Sequence, residues 1–219
     1  MATARVRAME RAAIGHPLWS TVVQVDFVRG GEAASALVMS PQMRSLRGVS
    51  GLDAAALGTL CSDGDALAIR EIEAHAPAIA PADDGSWRID TDVAATIANA
   101  RGLPELRRLV IAAHAPLYRP RHMRWLISSP LAGRLEQLEI RGIGELQHWG
   151  ELLPYAHHAL GELVIRDARG RAHFRRGNDG KLSELELDVR GIHASLRRDP
   201  AQRIAQLPPG LLTTVTITQ

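Results

Sequence analysis

Nine histidines, one cysteine and a few closely spaced aspartates are the residues of this 219-residue chain that could carry chemistry. Histidines become metal ligands or proton carriers when two or more share a centre. His157 and His158 are adjacent, and adjacent side chains on a helix diverge, so the pair is not expected to face one site. The sequence holds no H-E-x-x-H pair and no Cys/His cluster. Asp90-x-Asp92 has the spacing of a cation-binding carboxylate pair, but a helical segment follows at once and N-terminal capping accounts for Asp92. Arg176-Gly177-Asn178-Asp179-Gly180-Lys181 has the residue types of a phosphate loop with its first glycine misplaced, and neither Ser nor Thr follows the lysine directly. Gly48 would serve a nucleophile elbow at Ser50, but position 52 is leucine. Cys61 is the sole cysteine, which excludes an intrachain disulfide. These residues assign no catalytic group, no metal and no cofactor.

The strongest pattern is a recurring aliphatic frame, L-x-x-L-x-L. Clean copies are Leu106-Leu109-Ile111, Leu135-Leu138-Ile140, Leu160-Leu163-Ile165, Leu182-Leu185-Leu187 and Leu212-Val215-Ile217. Looser copies stand at Val22-Val25-Phe27, Leu46-Val49 and Ile69-Ile72. Between the frames the chain turns helical, over Glu32–Met39, Thr91–Ala100 (capped by Thr91 or Asp92), His122–Ser128, Glu145–Leu153 and Pro200–Leu207. A proline follows each of the first four, at Pro41, Pro104, Pro130 and Pro154, and Pro208-Pro209 follows the last; proline lacks the N–H that a continuing helix needs. Two units match in register: Leu37-Val38-Met39-Ser40-Pro41 leads to Leu46 as Leu126-Ile127-Ser128-Ser129-Pro130 leads to Leu135. Residues 1–16 are expected to form a capping helix, with Val6, Met9, Ala13 and Ile14 on one face. The long interval from Ile69 to Leu106 has room for one degenerate repeat, and Arg169–Gly180 reads as a surface excursion turning at Asn178-Asp179-Gly180. No Pro-, Gly- or Ser-rich linker divides the chain, so a single domain is expected.

These frames resemble a degenerate bacterial form of the leucine-rich repeat family, from Trp19 to the C-terminus and most closely from Leu106 onward. The resemblance implies an α/β fold: a β-α solenoid of about seven or eight irregular repeats over residues 17–219, with a parallel concave sheet and helices or turns on the convex side. The family's Asn or Cys three positions after the frame is replaced here by His114, Ile143, Ala168 and Arg190. Some bacterial members are ubiquitin ligases with a Cys-x-Asp nucleophile. Cys61-Ser62-Asp63 matches that motif but falls inside the array rather than in a separate domain, so a buried structural cysteine is expected.

Leucine-type positions of such a frame point into the stack, and the third and fifth positions point to solvent on the inner face. Those positions carry seven acids, Asp26, Glu71, Glu73, Glu139, Glu162, Glu184 and Glu186, and one base, Arg108. Arg141 and Arg166 lie just beyond as partial neutralisation. The expected function is therefore a non-enzymatic protein-binding scaffold whose acidic concave sheet takes a partner with a basic surface. An acidic face disfavours nucleic acid. The basic clusters Arg119-Arg121-Arg124 and Arg169-Arg171-Arg175-Arg176 lack interleaved aromatics and read as solvated surface. The alternatives are an enzyme of unassigned chemistry using carboxylates of the irregular 63–92 stretch, and a structural section of a larger assembly.

Composition fits a soluble, thin-layered protein: 46% hydrophobic, 23% charged and only 4% aromatic residues, with a formal net charge of +2. Lys181 is the only lysine, as expected of a GC-rich, bacterial genome. The N-terminal stretch has no apolar run of signal-peptide length, and nothing approaches a membrane span. A reduced cysteine and no targeting segment point to the cytoplasm.

Overall fold

A computed structural model describes residues 2–6, 16–63, 67–81, 87–113, 120–142, 150, 152–167, 170–188, 200–205 and 207–218. The chain forms two compact units, Met1–Ile111 and Ala112–Gln219, with the division falling inside a strand where the sequence offers no linker. The fold is mixed α/β; among the described residues each unit has five strands paired mostly in parallel, and the first unit has a separate antiparallel pair besides.

The first unit contains β1 (Ala2–Val6), β2 (Val22–Gly30), α1 (Glu32–Val38), β3 (Gly48–Leu52), α2 (Ala54–Asp63), β4 (Glu71–His75), β5 (Ile79–Pro81), β6 (Trp87–Ile89), α3 (Thr91–Ala98) and β7 (Arg108–Ala112). Its sheet order is β1-β2-β3-β4-β7. The frame residues set the register: Val25 lies beside Val49 and Val49 beside Ile72, all three at most 2% exposed. Burying each such side chain contributes on the order of 1.5–3 kcal/mol. The helices lie between strands, as parallel pairing requires of its crossovers. Helix α2 starts where Asp53 Oδ1 accepts the Ala56 N–H at 2.7 Å.

The second unit contains α4 (Arg124–Ile127), β8 (Gln137–Arg141), β9 (Glu162–Asp167), β10 (Gly170–Arg176), β11 (Leu182–Asp188), α5 (Pro200–Ala205) and β12 (Thr214–Thr218), with its strands in chain order. Leu138, Leu163, Phe174, Leu185 and Val215 form one register column. Ile140, Ile165, Ala172, Leu187 and Ile217 form the next. The first four residues of each column are buried.

Several sequence expectations need correction. Ala2–Val6 is a strand, not part of a capping helix. Pairing beside β2 joins Ala4 to Val25 and Val6 to Phe27, and β-branched Thr3 and Val6 suit a pleated edge better than a helix. Met9, Ala13 and Ile14 lie outside the described residues. Gly170–Arg176 is not a surface excursion but β10, antiparallel to both its neighbours, because Ala172 and Phe174 alternate with polar residues and fill the core. The turn at Asn178-Asp179-Gly180 is where the sequence places it, with Gly180 at φ +72°. The 69–106 interval contributes the small antiparallel pair β5–β6 and α3, not another sheet strand. Asp90, rather than Thr91 or Asp92, caps α3, accepting the Val93 N–H at 3.1 Å. Helix α2 has no counterpart among the helical segments expected from the sequence. The substituted family positions His114, Ile143, Ala168 and Arg190, and most of the expected helix Glu145–Leu153, lie outside the described residues.

Candidate functional site

Successive side chains of a strand point to opposite faces, so fixing the frame residues in the core places the intervening positions together on the other face. In the first unit this sets Gln24 beside Gly48 and Gly48 beside Glu71, with Asp26 beside Ser50. Asp26 is held on both sides: the Ser50 hydroxyl donates to its Oδ1 at 2.9 Å, and Arg5 Nε on β1 lies 3.5 Å from its Oδ2. Arg108 Nη1 on β7 stands 3.6 Å from Glu71 Oε2, and the Glu71 side chain is 63% exposed. Glu73, two residues on, is half-buried.

In the second unit the same face carries three columns. Gln137, Glu162, Arg175, Glu184 and Thr214 form the first. Glu139, Val164, His173, Glu186 and Thr216 form the second, and Arg141, Arg166, Arg171, Asp188 and Thr218 the third. Glu162 is the hub. Its Oε2 accepts from Gln137 Nε2 at 2.9 Å and meets His173 Nε2 at 2.9 Å, while Arg175 Nε lies 3.8 Å from its Oε1. Arg175 Nη2 also reaches Glu186 Oε2 at 3.1 Å and His173 Nδ1 at 3.3 Å. A guanidinium can only donate, so Nδ1 of His173 is the acceptor and Nε2 carries the hydrogen toward Glu162. Partial burial pushes the Glu162 carboxyl up, but hydrogen bonds from Gln137 and His173 and the nearby Arg175 guanidinium outweigh it and hold the group below the usual carboxylate range.

The seven acids named from frame position thus all lie on sheet strands, but they do not form a bare acidic surface. Arginines from neighbouring strands stand within ion-pairing distance of Asp26, Glu71, Glu139, Glu162 and Glu186. Glu139 departs furthest from its expected solvent-facing place, being 2% exposed. Its Oε1 accepts from Arg141 Nε at 2.7 Å and lies 3.8 Å from Arg166 Nε. Val164 beside it is also fully buried, so the middle of this face is covered, and two guanidiniums offset the desolvation of the carboxylate. The residues missed from the sequence, His173 and Arg175, come from β10. Their signal was the period-two alternation of Arg171, His173 and Arg175 with Ala172 and Phe174.

The other chemical candidates resolve individually. Cys61 is completely buried in α2. Asp63 is exposed at the end of α2 and Asp90 caps α3; Asp83 and Asp84 lie outside the described residues. His157 and His158 do not sit on a helix. They follow the 3₁₀ turn Leu153–Tyr155, and their rings stack with centroids 4.4 Å apart instead of diverging. Among the described residues no group of three or more His, Cys, Asp or Glu side chains could hold a metal ion, and no helix is long and apolar enough to cross a membrane. No protein-family model, curated protein or solved structure gives a significant match to this chain.

Proposed function

We propose that the chain is a non-enzymatic protein-binding scaffold, a leucine-rich-repeat-like solenoid of the bacterial cytoplasm that takes a basic protein segment on the polar face of its sheet. The observation that carries this reading is the in-register polar ladder. Aliphatic frame positions are held in the core, and carboxylates recur at the same strand positions on the other face, on β2, β4, β8, β9 and β11. The accessible members are Asp26, Glu71, Glu73, Glu162, Glu184 and Glu186, and Glu139 supports them from within. Half-exposed ion pairs are individually weak. Arginines or lysines of a partner can therefore displace Arg108 from Glu71 and Arg175 from Glu186 at small cost. Pairing within the free protein keeps the side chains ordered and lets charge complementarity set specificity.

Fluorescence anisotropy with two labelled probe peptides, one rich in Lys and Arg and one rich in Glu, tests the reading. The basic peptide is expected to bind with an affinity that falls as salt rises. The combined Glu71→Lys, Glu73→Lys, Glu184→Lys and Glu186→Lys variant is expected to lose at least about tenfold in affinity. Equal binding of both peptides, or an unchanged affinity in the variant, would refute it.

One observation favours a second reading, a section of a larger assembly. Val215 and Ile217 on β12 occupy frame positions yet are 39% and 40% exposed. A second copy covering them would give sedimentation above monomer mass that Val215→Lys/Ile217→Lys abolishes; a monomer at all concentrations excludes it.

A further inference from the structure

The second unit contains a cleft of about 350 Å³ that the polar sheet face does not use. The geometry points to a binding site there for the phosphate monoester of a small organic molecule. Four basic side chains line it, His157, His158, Arg176 and Lys181, against one carboxylate, Asp179. Asp179 is already engaged, since its Oδ1 accepts both the Lys181 N–H at 3.0 Å and the Ser183 hydroxyl at 2.8 Å. The Arg176 guanidinium donates to two neutral acceptors, the carbonyls of Gly180 and Leu160. These bonds fix its position without cancelling its charge. The His157 imidazole is likewise positioned: its ring lies so close to Gly133 that a Cβ there would stand 2.3 Å from its Cε1, its Nδ1 accepts the Ala159 N–H at 3.2 Å, and the His158 ring stacks on it with centroids 4.4 Å apart.

The arrangement is an electropositive concavity built on backbone anchors. Burial, the neighbouring His158 and the Arg176 charge together depress the pKa of His157, so the cleft on its own resists taking up a further proton. A dianion reverses that balance by attracting it. The groups facing the two rings across the cleft are Arg176, Lys181 and Asp179. Size selects among anions: the volume lies at the lower end of small-molecule sites and exceeds what a bare phosphate fills. Leu153, Leu182 and Leu211 in the wall offer apolar surface to a short carbon skeleton. The rim is open at Gly180 and Gly210, where an added Cβ would meet nothing within 4 Å. Phosphate monoesters meet both requirements, a doubly charged head for the basic groups and a small apolar body for the leucines.

The test uses the full chain with phenyl phosphate, inorganic phosphate and benzyl alcohol as probes, read by calorimetry and by the histidine ring resonances. Phenyl phosphate is expected to bind saturably with a Kd of about 1 mM or tighter, to shift the His157 and His158 ring signals, and to be held at least about tenfold more tightly than inorganic phosphate. Benzyl alcohol is expected not to bind. His158→Ala/Lys181→Ala changes two exposed side chains and is expected to melt like the wild type while losing phenyl phosphate binding. Saturable binding that survives in this variant, equal affinity for inorganic phosphate, or no saturable binding of phenyl phosphate would each overturn the assignment. Because the sheet-face variant leaves these residues untouched, failure here is distinct from failure of the protein-binding reading.

Discussion

Ser40 and Ser129 occupy the same place in two matching Ser-Pro segments, Leu37–Leu46 and Leu126–Leu135, and their hydroxyls do different things. The Ser40 N–H donates to Leu37 O at 3.0 Å, as the Ser129 N–H donates to Leu126 O at 3.0 Å. Six residues on, the Leu46 N–H reaches Met43 O as the Leu135 N–H reaches Ala132 O. Between these matched bonds, Ser129 Oγ accepts the Ala132 N–H at 3.0 Å, whereas Ser40 Oγ is buried without a hydrogen-bond partner, the Met43 N–H having gone to Ser40 O instead. Removing a needed acceptor strands a buried N–H, while removing an unpaired hydroxyl strands nothing. Ser129→Ala should lower stability by about 1–2 kcal/mol, and Ser40→Ala should be neutral or slightly stabilising. Urea unfolding of the two variants distinguishes them directly, and an equal loss in both would contradict the geometry.

Phe174 is fully buried on β10, between Leu163 and Leu185. Truncation to alanine removes a ring from the middle of a five-residue column, and large-to-small changes of this kind cost about 3–5 kcal/mol. Phe174→Ala should therefore shift the unfolding midpoint strongly, whereas Arg171→Ala on the same strand should shift it much less. Were Gly170–Arg176 a solvated excursion, neither change would register.

How far the sequence reveals the structure follows from where its signals lie. The frames are legible because aliphatic residues at fixed spacing must share a face, and those frames do line the core from Val22 to Leu187. Helix α2 is hidden by its composition: Ala54, Ala56, Leu57, Gly58, Leu60 and Cys61 are all buried, and its outward face, Ala55, Thr59 and Ser62, is too short and too weakly polar to mark the period. In β10, arginine and glycine mask an alternation that only two apolar residues carry. The acids of the sheet face can be placed because each needs only its own strand's alternation. Their arginine partners cannot, because pairing depends on register between strands, and Arg175 reaches Glu162 and Glu186 only when β10 runs antiparallel between β9 and β11.

Gly51 tests a close backbone approach. It has φ +77°, and an added Cβ would lie 1.8 Å from Phe27 O, at the irregularity where β3 leaves register with β2. Gly180 has a similar φ of +72° but open space around it. Alanine at 180 should cost about 1 kcal/mol through backbone strain alone. Alanine at 51 adds a clash with main chain that no rotamer relieves, and should cost at least about 3 kcal/mol or prevent folding. Thermal unfolding of the pair separates strain from collision, and comparable losses would show that the approach between Gly51 and Phe27 is not as close as described.

The Glu162–His173 contact makes stability depend on acid. Because Glu162 in the folded chain titrates below its ordinary value, the folded state favours the ionised carboxylate. Its contribution is present above the unfolded carboxylate pKa and is lost as pH falls through the lower folded value. The side chain is 36% exposed, so solvent screening limits the effect to about 0.5–1 kcal/mol. Glu162→Gln should be less stable than wild type by that amount at pH 7, and the gap should close as acidification protonates Glu162 in the folded as well as the unfolded chain. A gap that stays constant or widens toward low pH would mean that the carboxylate's charge is not what holds Gln137, His173 and Arg175 together. Nitrogen chemical shifts of His173 give an independent check, since the Arg175 contact requires the hydrogen of the neutral ring to sit on Nε2, facing Glu162.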